Sequence, residues 1–183
     1  MFPAEHRALR ELHATARELR GHWAKLAERL NQPVLADGAQ AADELLTELE
    51  QRIDLSGRPT AQFAGARLAG ARVLSDLLLE RNQALRSALL DVQHVVTLLD
   101  YLACLAGARE DADLEAWHIG WRDRMQAVED RGLAAVRAMA ADPERAIEPA
   151  DDGTLGRAGA KIGVALGTVG EAIDNRVARR RST

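Results

Sequence analysis

Leucine and alanine recur at alternating steps of three and four along most of the chain, the spacing that places residues on one face of an α-helix. The first such stripe is Leu9, Leu12, Ala16, Leu19, Trp23, Leu26 and Leu30. It predicts a helix over 4–31, with Pro3 in its first turn and Pro33 closing it. A second stripe, Leu35, Ala39, Ala42, Leu46, Leu49 and Ile53, predicts a helix over 36–54, broken by Ser56, Gly57 and Pro59.

The third segment contains no proline between 60 and 106. Its second half carries Leu85, Leu89, Val92, Val96, Leu99, Ala103 and Ala106, so it reads as one long helix with a kink near Arg81–Gln83, where the stripe is least clean. Gly107 and the acidic stretch to Asp113 read as a stop and a fresh helix start, since carboxylates favour the positive end of a helix dipole. A fourth helix is expected over 112–141 on Leu114, His118, Trp121, Met125, Val128, Ala135 and Met139. Pro143, Pro149 and Asp151–Gly153 mark a linker, and a last helix is expected over 154–180 on Leu155, Ile162, Leu166, Val169, Ile173 and Val177.

The expected fold class is therefore all-α: an antiparallel bundle of four to five long amphipathic helices with coiled-coil-like heptad packing. The expected organisation is a bundle over 1–142, a linker over 143–153, and a glycine-rich C-terminal helix with a basic tail over 154–183, docked on the bundle or on a partner. Composition agrees with helix, because 47% of residues are apolar and only 3% aromatic. No signal-peptide pattern opens the chain and no run of eighteen uncharged apolar residues occurs, which gives the expectation of a cytoplasmic protein. Cys104, the single cysteine, sits in an apolar run and is expected to be buried.

Charge is unevenly spread. Residues 108–152 carry six basic and twelve acidic side chains, whereas 153–183 carry six and two. Arg176, Arg179, Arg180 and Arg181 thus form a basic tail on an acidic body. Without interleaved aromatics this is a poor nucleic-acid signal, and nucleic acid is not an expected partner.

Glu115 and His118, and Asp91 with His94, have the three-residue step of carboxylate-bridged metal bundles. Both motifs are near their chance frequency, His94 lies off its core stripe, and the first two helices supply no inward carboxylate except Glu5. His118 is expected to be a hydrogen-bonded or partly exposed bundle histidine, and no metal or cofactor is expected. The steps Arg7 to His13 and Arg17 to His22 have the arginine-to-histidine spacing of some small helical ribonucleases, again at chance frequency. His6, His13 and His22 lack a fourth ligand of defined spacing for zinc. Trp23, Trp117 and Trp121 are expected to fill core space rather than form a binding wall. Nothing in the sequence points to catalysis.

One feature departs from a plain bundle. Gly156, Gly159, Gly163, Gly167 and Gly170 lie within the last helix, where each glycine costs ~0.8–1 kcal/mol relative to alanine. Their spacings of four and seven form a smooth strip that lets another backbone approach. The expected function is a non-enzymatic interaction or assembly module that uses this strip for close packing or self-association. A membrane-associating effector acting through the last helix and its arginine tail is the alternative. A carboxylate and histidine metal-binding bundle comes third.

Overall fold

The structure, a computed structural model, describes residues 2–52 and 79–150. Helix α1 spans Pro3–Leu30, α2 Pro33–Arg52, α3 Arg81–Gly107 and α4 Ala112–Met139, followed by one helical turn, α5, over Pro143–Ala146. Among these residues there is no strand, and the fold is an all-α bundle. The glycines 156, 159, 163, 167 and 170, the arginines 176, 179, 180 and 181, and the expected last helix lie outside the described residues.

Local chemistry explains where the helices start and stop. Glu5 reaches back so that its Oε2 accepts from the Phe2 amide at 3.1 Å, satisfying one free donor of the first turn. Asn31 takes a left-handed backbone, φ 51°, and closes α1. Asparagine tolerates that conformation at a helix end. Pro33 then opens α2, three residues earlier than the sequence suggests, because proline at a first helical position lacks only an amide that has no intrahelical partner. Asp111 caps α4, its Oδ1 accepting from Leu114 N at 3.1 Å.

The single helix with a kink expected over 60–106 is interrupted before Arg81, and its first part, 60–78, lies outside the described residues. Glu80 is extended, with ψ 157°, and α3 begins at Arg81, where a kink was anticipated. The reason is a competing partner: the Arg81 amide donates to Glu148 O at 2.9 Å, and Ala150 N donates to Leu79 O at 3.1 Å. The segment after α5 thus takes the backbone groups that a preceding helical turn would have used.

The predicted stripes form the core. Leu9, Leu12, Ala16, Leu19, Trp23, Leu26 and Leu30 of α1 are all buried, as are Leu35, Leu49, Leu85, Val92, Leu99, Met125 and Val128 on the other helices. Burying a leucine or valine side chain contributes about 1.5–3 kcal/mol, so the shared core holds the four helices together.

Cross-links between helices set their directions. Arg81 reaches the Leu30 carbonyl at one end of α1, and Arg109 reaches Glu5 at the other, so α3 is antiparallel to α1. Glu48 faces Trp117 and Trp121, while Asp37 faces Arg131, so α4 is antiparallel to α2. Each of the four long helices neighbours two antiparallel partners, and α2 and α3 run the same way. Arg52 and Leu79 consequently lie at opposite ends of the bundle.

Candidate functional site

Helix α3 is more apolar than its packing requires. Its core side is buried against α1 and α4, yet Leu90 remains 62% exposed and Tyr101 45% exposed on the outer side. With 3.6 residues per turn, Leu90, His94, Thr97, Tyr101 and Cys104 fall on one line along the helix. All five are exposed. By length and composition α3 is apolar enough to cross a membrane, as the core helix of a bundle also can be, and half of its most apolar window is buried inside the bundle. It also carries Asp91, which pairs with His22 of α1 at 3.0 Å, and Asp100, which accepts from Arg122 of α4 at 3.0 Å. These two carboxylates fix which side of α3 faces inward.

Cys104 therefore departs from expectation: it is exposed, next to Tyr101 on this outer line. The apolar run around it contains more hydrophobic residues than one helix face can bury. Position around the helix, which the run alone does not reveal, decides which of them are left out.

A second feature lies at the end of the bundle where α1 closes and α3 opens. A cavity of about 330 Å³ is walled by Leu30, Arg81, Ala138, Met139, Asp142 and Arg145, among others. Arg81 is buried and donates through Nη2 to the Leu30 carbonyl at 2.7 Å. The Asp142 Oδ1 accepts from the Arg145 amide at 3.2 Å, which closes the turn of α5. Neither Arg81 nor this cavity was legible as a site from the sequence. Arginine mid-chain is normally a solvated residue, and only the meeting of three chain segments buries this one.

The histidine motifs are separated by the fold. Glu115 sets its carboxylate over Gly107, whereas His118 is fully buried with its ring edge-on to Trp117 at 5.1 Å. Contrary to expectation His118 is not exposed, and among the described residues neither of its ring nitrogens has a hydrogen-bond partner. Burial pushes its pKa down to about 4; Glu5, the Leu114 backbone and Asp111 act the other way, and Arg109 acts with burial. Glu5, the one inward carboxylate expected of the first two helices, is fully buried and paired with Arg109 at 3.0 Å. That arginine also binds Asp111 at 3.1 Å, tying the start of α1 to the start of α4.

Asp91 and His94, which the sequence groups together, bind different partners. His94 Nε2 is 3.1 Å from Glu11, and Asp91 belongs to His22. His13 Nε2 lies 3.0 Å from Glu50 of α2. Among the described residues no three His, Cys, Asp or Glu side chains gather to hold a metal ion. Arg17 is exposed while His22 is nearly buried against α3, so the arginine-to-histidine step does not form a joint surface site.

The tryptophans divide. Trp23 is fully buried and donates to the Ala88 carbonyl at 3.2 Å, and Trp121 is buried, as expected for core residues. Trp117 is only half-buried, and both it and Trp121 donate to the same oxygen, Oε2 of Glu48, at 2.8 and 3.0 Å. Arg52 stacks over Trp117 and Arg124 over Trp121, at 5.2 and 4.7 Å from the ring centroids. The two indole N–H groups of Trp117 and Trp121 hold the Glu48 carboxyl below the usual carboxylate range. The group is a structural seam between α2 and α4.

No protein-family model, curated protein or solved structure matches the chain.

Proposed function

We propose that this protein is a non-enzymatic helical-bundle assembly module that pairs with a second copy of itself through the outer face of α3. The observation that supports this reading is the exposed line from Leu90 to Tyr101. Its spacing, 90, 94, 97, 101, reads the same from either end, with large apolar side chains outermost and polar His94 and Thr97 between them. Two such helices laid antiparallel about a two-fold axis would place Leu90 of each on Tyr101 of the other. That is the self-complementarity an isologous dimer needs.

The size of the face sets the strength. A 27-residue helix is about 40 Å long and presents a strip about 10 Å wide. That is about half of the ~800 Å² per partner usual in a stable interface. The dimer is accordingly concentration-dependent, and the glycine strip at 156–170 is a further contact surface in the same assembly.

Sedimentation of the full chain over a range of concentrations tests the proposal. The expected mass rises from 19.9 kDa toward twice that value. Leu90→Glu with Tyr101→Glu should hold the chain at monomer mass with an unchanged circular dichroism spectrum. A wild type that stays monomeric throughout, or a double variant that still dimerises, overturns the reading. A monomer that instead co-sediments with anionic vesicles, and loses this on removal of 153–183, would favour the membrane-associating alternative.

A further inference from the structure

The cavity beside Arg81 combines a buried cation with an apolar wall. Arg81 is 7% exposed, and among the described residues its guanidinium donates to a neutral acceptor, the Leu30 carbonyl. Among the described residues no carboxylate pairs with it. Placing a charge in the interior without a counter-charge is costly, and nature ordinarily compensates with an ion pair. Asp142 shares the wall, but it is engaged with the amide of Arg145. The rest of the wall combines polar groups, exposed Arg145 with Asn31 and Gln32, and apolar ones that include Leu30, Ala138 and Met139.

We infer that this cavity is a binding site for a small organic monocarboxylate with a compact apolar body. The planar guanidinium of Arg81 matches a carboxylate, which accepts two of its N–H groups at once. Arg145 supplies a second positive charge nearer solvent. The apolar part of the ligand meets Leu30, Ala138 and Met139. Asp142 makes the choice between carboxylate and phosphate, because its charge repels a dianion about twice as strongly as a monoanion. At about 330 Å³ the cavity lies at the lower end of the range for small-molecule sites, which limits the apolar body to a short branched chain or one ring. The site is on the helix ends, away from the outer face of α3, so it does not rest on the dimer.

Isothermal titration calorimetry of the full chain tests this, with isovalerate and benzoate as probes and benzyl alcohol and inorganic phosphate as controls. The expected dissociation constant for one or both acids is on the order of 1 mM or tighter. Benzyl alcohol, which has the ring without the charge, should bind at least roughly tenfold more weakly, the loss expected for a missing charged hydrogen bond. Arg145→Ala should weaken the acid several-fold, and Arg81→Gln should abolish binding. Because Arg81 also holds the Leu30 carbonyl, Ala138→Leu provides a second variant that fills the cavity without removing a polar contact. It should keep full helicity and lose the acid. The inference is overturned if neither acid binds, if benzyl alcohol or phosphate binds as tightly as the acids, or if a folded Ala138→Leu binds like wild type.

Discussion

A β-carbon on Gly38 would lie 2.3 Å from both Cε3 and Cζ3 of Trp23. Helix α2 therefore meets the indole of α1 at a point where no side chain fits, and the indole is itself pinned by its bond to the Ala88 carbonyl at 3.2 Å. A rigid ring held from both sides cannot yield as an aliphatic side chain can.

Gly38→Ala should lower stability. Overpacking costs ~1–3 kcal/mol and the gain in helix propensity returns at most ~1, so the net loss is up to about 2 kcal/mol. Gly21→Ala should do the opposite, because nothing among the described residues lies within 4 Å of a β-carbon there and only the propensity gain of ~0.8–1 kcal/mol remains. Urea melts of the two variants beside wild type decide the point; equal midpoints for the pair would contradict the packing described.

His118 should make the fold sensitive to mild acid. Its folded pKa, about 4, lies below the ordinary value of 6.5, so the unfolded chain takes up a proton first as pH falls. Stability is fully present above about 6.5 and declines as pH falls from there to about 4, by about 3 kcal/mol over the window at ~1.4 kcal/mol per unit. His118→Leu removes both the titration and two buried ring nitrogens that have no hydrogen-bond partner among the described residues. The variant should melt at or above wild type near neutrality and show a flatter stability profile between these pH values.

Glu48→Gln should weaken the seam between α2 and α4. The carboxylate accepts two indole N–H groups, and hydrogen bonds to a charged group contribute about 1.5–3 kcal/mol each before solvent competition at this half-buried site. The expected net loss is about 1–2 kcal/mol. Since Glu48 titrates below its ordinary value when folded, its contribution is present above the unfolded carboxylate pKa and lost as pH falls through the folded one. Tryptophan fluorescence during urea unfolding reads both effects, and an unshifted midpoint in the variant would count against the seam.

Cys104 should react with thiol reagents in the native state. It is exposed on the outer face of α3, so a thiol reagent should modify one equivalent per chain without denaturant. A modification that required unfolding would place the residue inside the core instead.

The all-α class, the extents of α1 and α4 to within two residues, and the inward stripes were determined by the sequence alone. A helix face is defined by steps of three and four within one segment, so nothing distant is needed to find it. The same reasoning placed Trp23, Trp121 and Met125 inside and left His94 outside. Tertiary structure decided what periodicity carries no record of. The start of α3 at Arg81 depends on Glu148, which is far along the chain, and the burial of Arg81 depends on three segments meeting. His22 found Asp91 rather than Arg17, and Cys104 turned outward because α1 and α4 cover only part of an apolar helix. Each of these is a choice among partners that local spacing leaves equal, and packing between distant segments makes the choice.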